Sequence, residues 1–206
     1  MNGAGNCGRM SNGKVVAAMN DIQLYRVKQW VERARAGDEA AFSALVREFH
    51  SNVWRFILKS VHNPQDAEEL TQETFISAWR SLQTFRGESK FSTWLLGIAL
   101  NIARNHCNRA ASRKEVELPE DNVLESLLPQ AEDPSELARS KQMLLELDRA
   151  IFRLPEELRE VVILVRLEDL ALEEAANVLK IPLGTVKSRL SRARERLAED
   201  MFTHMS

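Results

Sequence analysis

Residues 154–197 read LPEELREVVILVRLEDLALEEAANVLKIPLGTVKSRLSRARERL, and the fold follows from how this stretch is parsed. Leu154-Pro155 opens a helix on which Leu158, Val161, Val162 and Val165 recur at helical spacing as one apolar stripe. A short helix over 172–179, a Lys-Ile-Pro-Leu turn and a longer helix from Gly184 follow. Two helices joined by a tight turn, the second one basic, have the pattern of a helix-turn-helix. With each residue advancing the last helix by about 100°, Val186, Leu190, Ala193 and Leu197 share one narrow sector and face a core. Lys187, Ser188, Ser191 and Arg192 fall on the opposite side near the helix start. Arg and Lys can donate to guanine O6 and N7 and Ser can pair with several base edges, so this face suits a major groove. Arg189 and Arg196 flank it and suit phosphates. A merely solvated basic helix would have the same charges, but Ala175 and Ala176 argue for two helices that approach closely.

The same charge pattern extends outward along the chain. The net charge of −2 does not by itself advertise a nucleic-acid binder, yet the charge is segregated. Residues 104–114 carry four Lys or Arg and no acid, 112–136 two basic and eight acidic residues, and 184–197 five basic residues against Glu195 alone. Two basic surfaces joined by an acidic connector are the natural reading. A flexible connector of this sign is expected to fold back over either basic face in the free chain and compete with DNA.

Composition excludes several classes. A chain of 206 residues, 44% hydrophobic and 28% charged, has the makings of one ordinary or two small folded domains rather than a disordered polymer. Cys7 and Cys107 fit neither a disulfide framework nor a metal-ligand spacing, which points to a reducing, cytoplasmic setting. No apolar run approaches the roughly 20 residues that span a bilayer, and the first 14 residues lack the apolar core of a signal peptide.

No alternating strand pattern occurs, so an all-α fold of two small helical domains is expected. Residues 1–20, with four of the eight glycines, read as a disordered tail; 21–113 as a first helical domain; 114–134, with Pro119, Pro129 and Pro134 among acids, as a flexible acidic linker; and 135–206 as the second domain. Gly37 stops one helix and Asp38 caps the next, whose Phe42, Leu45, Val46, Phe49, Val53, Phe56 and Ile57 form an apolar face. Asn63-Pro64 then starts a helix with Ala67, Leu70, Thr71, Thr74, Ala78 and Leu82 inward. Its outward side sets Glu69, Gln72, Glu73 and Arg80 around Ile76, the pattern of a protein-docking patch with a small hydrophobic centre.

The segment Thr84–Thr93 is a loop turning at Gly87, with Ser92 as cap of the following helix. On that helix Leu95, Ile98, Ala99 and Ile102 point inward and Gly97, Asn101, Arg104 and Asn108 form an outer polar ridge. Phe85, Phe91 and Trp94 beside Arg86, Ser89 and Lys90 combine rings that can stack unpaired bases with groups that hold phosphate, or else are simply core. His106 falls on the core side of its helix, and Cys107 has no base at a useful spacing, so an enzyme is a poor reading.

Four segments in this order, GDEAAFSALVREF (37–49), DAEELTQETFISAW (66–79), FRGESKFSTWLLGIALNIARN (85–105) and 154–197, closely resemble a sigma factor of the extracytoplasmic-function group, over about residues 21–200. The helix-turn-helix part alone is weakly specific, since LuxR-type regulators share a TVKxxL pattern; the first-domain motifs decide the matter. The resemblance implies sigma domains two and four and a partnership with the beta-prime and beta subunits of core RNA polymerase and with promoter DNA. By the same resemblance Asp66, Glu69, Gln72, Glu73 and Ile76 would grip the clamp helices of beta-prime. The minus-10 element would fall to Phe85, Arg86, Ser89, Lys90, Phe91, Asn101 and Arg104, and the minus-35 element to Lys187, Ser188, Arg189, Ser191 and Arg192. It implies no cofactor, no metal and no small-molecule substrate, and an anti-sigma factor, membrane-anchored in many relatives, as a further partner. Ala171 stands where the family usually caps the first motif helix with Ser or Thr, so that helix is expected to start at Asp169 or to be weakened. Ser191 and Lys187 also depart from the usual residues and bear on promoter preference. A one-component duplex-DNA regulator would explain the second domain but leave Ile76 and the aromatic loop without a role, and a protein-only adaptor would leave the two basic faces without one.

Overall fold

The structure, a computed structural model, describes the backbone of residues 12–113 and 134–204 and the side chains of 21–109 and 142–202. Among the described residues every regular element is a helix: α1 (Asn12–Arg35), α2 (Glu39–Val61), α3 (Pro64–Ser81), α4 (Phe91–Arg113), α5 (Pro134–Arg153), α6 (Glu156–Val162), α7 (Leu172–Leu179) and α8 (Leu183–His204). A 3-10 turn over Leu82–Thr84 follows α3, and a π-helical turn over Ile163–Leu167 follows α6. No helix of the described residues is long and apolar enough to cross a membrane. The all-α expectation holds.

The chain forms two compact units that divide within α2, between Glu48 and Phe49. In the first unit Val27, Val31 and Ala34 of α1 and Ala41 and Leu45 of α2 are buried. Gly37 takes the left-handed conformation (φ +93°) that a side chain resists, and Asp38 caps α2 as expected: its carboxylate accepts from the Ala41 N–H at 3.1 Å and from Arg33 at 2.6 and 2.9 Å. The Ala41 N–H, then Arg33, hold the Asp38 carboxyl below its ordinary range. Helix α1 begins at Asn12 rather than after residue 20, because Val15, Val16, Ala17, Ala18 and Met19 supply good helix formers and apolar residues past the last early glycine. The rest of the expected tail, 1–11, and the acidic linker over 114–133 lie outside the described residues.

In the second unit the Asn63 side chain accepts from the Gln65 and Asp66 N–H groups, so α3 starts where Asn63-Pro64 directs it. All six inward positions expected on α3 and just beyond it are buried, with Phe75 added to them. Two of these are threonines, and they cost little: Thr71 Oγ1 donates to the Ala67 carbonyl at 2.6 Å and Thr74 Oγ1 to that of Leu70 at 2.7 Å, so no buried hydroxyl is left unpaired. Helix α4 packs on α3 through a face that includes Leu95, Ala99 and Ile102. It begins at Phe91, and the Trp94 N–H bonds to the Lys90 carbonyl, so Ser92 lies in the first turn instead of capping it.

Helices α5, α6 and α7 all pack on α8. Ala175 and Ala176 of α7 are buried and Val186 and Ala193 of α8 are fully so, the small-residue approach that the sequence suggests. Helix α7 starts at Leu172, not Asp169: Asp169 has φ +51°, outside helical space, and Ala171 holds extended cap geometry. The Glu174 carboxylate accepts from the Ala171 N–H at 3.1 Å, giving the half of a capping box that an alanine permits.

Candidate promoter and polymerase interfaces

Helix α8 is pinned by Val186, Leu190 and Ala193, with Leu197 half-buried, and this rotation leaves Lys187, Ser188, Ser191 and Arg192 exposed together. Their hydroxyls make only weak local bonds, Ser188 Oγ to the Thr185 carbonyl at 3.1 Å and Ser191 Oγ to Glu195 at 3.4 Å, which a base edge could replace. Arg189 does not join them. Its guanidinium lies against α6, donating to Glu157 at 2.7 Å, with the side chain 19% exposed, because position 189 falls between the buried and the outward sector. Arg189 is therefore engaged within the protein, and Arg196 alone of the expected flanking pair is exposed. Beside this face an open groove of about 450 Å³ has Val165, Leu172 and Leu190 as its floor and Arg166, Lys187 and Arg194 on its rim.

On α3, Glu69, Gln72 and Glu73 are exposed around Ile76, which is 52% exposed. Trp79, exposed as well, enlarges the apolar centre; its seven-residue offset from Gln72 puts it on the same side, a signal the sequence carries. Asp66 sits at the edge, half-buried, with its carboxylate 3.2 Å from His106 Nε2. His106 is accordingly not a core residue: it is partly exposed and ties the end of α4 to the start of α3.

The loop before α4 differs most from expectation. Phe85 and Phe91 are buried, their rings packed edge to face at 5.7 Å, each within 5.5 Å of Trp94 and Phe91 as close to Phe49. They hold the loop in place and present no face to a base; only Trp94 is partly open. Gly87 turns the loop at φ +76°, leaving Arg86 and Lys90 exposed and Ser89 half-buried. On the ridge Asn101 is exposed, but Arg104 is engaged: its Nε and Nη2 each donate at 2.8 Å to the two oxygens of Glu160 on α6. Burial pushes the Glu160 carboxyl above its ordinary value despite the opposing pull of Arg104. Glu174 of α7 likewise lies 3.4 Å from Lys90 Nζ and accepts from Thr93 at 3.5 Å. Neither glutamate carried a functional signal in the sequence, since each is one acid among several on an ordinary charged helix.

A basic face on a helix-turn-helix, an acidic face around Ile76 on α3 and a polar loop and ridge at α4 have the chemistry of a DNA-binding protein with more than one contact surface. The family models agree: residues 45–113 match sigma-70 region 2 and residues 144–197 match sigma-70 region 4. Two curated relatives carry the match across most of both chains. The RNA polymerase sigma-H factor of Pseudomonas aeruginosa is 37% identical over 82% of this chain and 90% of its own. The ECF RNA polymerase sigma-E factor of Escherichia coli K12 is 38% identical over 80% and 88%. The chain belongs to the sigma-70 family, as an RNA polymerase sigma factor of the extracytoplasmic-function group. Its fold is that of CnrH, solved in complex with the cytosolic domain of CnrY (TM-score 0.62, 24% identity, 86% of this chain and 98% of that one). It is also that of the sigma factor RpoE, solved with the anti-sigma factor NepR from Bartonella quintana (TM-score 0.60, 24% identity, 78% and 96%).

Proposed function

We propose that this sigma factor holds core RNA polymerase with the outward face of α3, reads the minus-35 element with α8 and engages melted minus-10 DNA with the loop before α4 and the ridge along α4. The observation that carries the reading is the joint exposure of Lys187, Ser188, Ser191 and Arg192 on a helix fixed by buried Val186 and Ala193. Donors held rigidly at the start of a recognition helix can discriminate base pairs. On α3 the acids Glu69 and Glu73 around Ile76 and Trp79 suit a basic partner surface with an apolar contact, as expected for the beta-prime clamp helices. The groove floored by Val165, Leu172 and Leu190 offers α6–α8 a second protein contact, to which the beta subunit is assigned.

Within the minus-10 surface the burial of Phe85 and Phe91 limits stacking to Trp94, while Arg86, Lys90, Asn101 and Arg104 supply donors to phosphates and bases. Melting is then driven by binding free energy, with no chemistry performed by the chain itself and no cofactor. The domain limits follow: 21–113 as sigma domain two, 135–206 as sigma domain four, with the acidic stretch 114–134 running between them through the polymerase. An anti-sigma factor is a fitting partner because both solved neighbours are complexes, one with a named anti-sigma factor, and the workplace of such a chain is the cytoplasm. The test is reconstitution: core polymerase plus this chain, with transcripts mapped genome-wide, should give start sites sharing one minus-10 and minus-35 pair. Loss of the shared minus-35 motif in the Arg192→Ala protein supports the α8 assignment, and its persistence refutes it.

A further inference from the structure

The groove beside the reading face has cations on its rim and no acid in its lining: Arg166, Lys187 and Arg194 stand around Val165, Leu172 and Leu190, with Ser191 at the edge. All three cations are exposed, and none pairs with a carboxylate among the described residues. An apolar floor inside a basic rim that nothing neutralises suits an occupant that is apolar along one side and acidic around it. The chain itself carries such a stretch. Residues 115–133 contain seven acids and no Lys or Arg, and in their middle stands DNVLESLLP (121–129). At helical spacing Val123, Leu124, Leu127 and Leu128 share one side, and Glu125 and Ser126 fall on the other. Asn122 with Glu125 three residues later has the pattern of a helix start, and Pro129 marks a helix end. Six residues are too few for a helix that stands alone in water, so the pattern fits a stretch that becomes helical against a surface. The groove is within its reach. Arg113 ends α4 nine residues, about 14 Å of helix, past Arg104, which bonds to Glu160 five residues before Val165. The ten residues from Arg113 to Val123 extend up to about 33 Å.

We propose that in the free chain residues 122–128 dock as a short helix in this groove, setting Val123, Leu124, Leu127 and Leu128 on Val165, Leu172 and Leu190 and the surrounding acids toward Arg166, Lys187 and Arg194. Connection to α4 and α5 keeps the segment at an effective concentration of roughly millimolar, so a contact too weak to form between separate molecules is populated. Charge alone would let the acidic stretch lie over either basic surface; the apolar side selects the one at α8. Lys187 and Ser191 line the groove and also belong to the proposed minus-35 set, so the docked segment covers part of the reading face. The docking itself requires neither that assignment nor the one to the beta subunit.

Leu124→Ser with Leu127→Ser removes the apolar side and keeps every charge. In the full-length protein with carbon-13-labelled Leu and Val methyls, the resonances of Val165, Leu172 and Leu190 should differ between wild type and this variant, while those of Val27 and Val31 in α1 stay in place. Tenfold dilution of wild type should leave its resonances unmoved, because segment and groove belong to one molecule. Cleavage after Glu125 by a glutamate-specific protease reads the segment directly, with each rate normalised to that of the matching 115–133 peptide. A docked segment is cut only in its undocked fraction, so cleavage should be on the order of fivefold faster in the serine variant. Arg166→Glu with Arg194→Glu, at exposed positions outside the base-reading set, should accelerate it likewise without altering the cleaved sequence. Groove methyls that do not move, with normalised cleavage unchanged in both variants, overturn the docking and leave the groove to a partner protein. Resonances that move on dilution assign the occupant to a second copy of the chain, and acceleration in the arginine variant with none in the serine variant reduces the contact to charge alone; each of these also overturns it.

Discussion

The outward face of α8 and the outward face of α4 are both polar sides of helices whose opposite sides are buried, yet they end in different states. Lys187 and Arg192 stand exposed, whereas Arg104 is forked onto a buried glutamate and Lys90 faces another. The difference lies in what each helix meets next. Packing on α5, α6 and α7 uses the inner side of α8, while α4 is packed by α3 on one flank and by α7 on another. Rotation about a helix axis tells which side chains leave their own core; it does not tell whether a second set of helices arrives to cover them.

The contrast breaks most visibly through Arg192. Arg192→Ala should cost roughly 1–3 kcal/mol at one base pair and relax selectivity there, measured by holoenzyme binding to a set of single-substitution minus-35 sites. Unchanged discrimination would place base reading elsewhere. On α3, Glu69→Lys with Glu73→Lys should weaken association with core by about tenfold or more while helicity is retained, since both positions are exposed and fold-neutral. Undiminished co-purification with core would remove α3 from the interface.

Two smaller effects sharpen the comparison on the α6–α8 side. Ala171 has the extended geometry of a cap (φ −59°, ψ 151°) but no acceptor, so Ala171→Ser should raise stability by about 1 kcal/mol in thermal unfolding. No gain would mean that the hydroxyl does not reach the N–H groups at the helix start. For Glu160 the sign follows from burial. Its folded-state value lies above the ordinary 4.5, because desolvation, with Glu156, outweighs Arg104 and Arg189. The ionised form is thus penalised on folding, and the penalty is absent below the ordinary value, grows as pH rises toward the shifted one and is constant above it. The melting-temperature difference between Glu160→Gln and wild type should move in the variant's favour across that window and be flat at neutral pH. A difference that moves the other way would show that pairing with Arg104 outweighs burial.

The local decisions were legible from residues alone. Asn63-Pro64, Gly37-Asp38 and the spacing of Val186, Leu190 and Ala193 set helix starts and rotations through contacts within a few residues of each other. What was not legible depends on partners distant in the chain. Phe85 and Phe91 looked available because a loop context suggests exposure, and it is Phe49 and Trp94 that enclose them. Arg189 and Arg104 looked like donors to DNA, and each is claimed by a glutamate 32 or 56 residues away. Helix α1 reached back to Asn12 because five apolar or helix-forming residues outweighed the glycines before them.

Where α6 ends, the backbone widens into a π-helical turn, with the Glu168 N–H bonded to the Ile163 carbonyl and that of Leu170 to Leu164. Such a turn accommodates one residue more than an α-helix would over the same path, and one residue amounts to about 100° of phase and 1.5 Å of advance. That phase step keeps Ile163 and Leu164 buried while turning Arg166 and Leu167 outward just before the chain enters α7. The direction in which the chain enters α7 is therefore stored partly as a count of residues, a gear tooth in the backbone that a single deletion would remove.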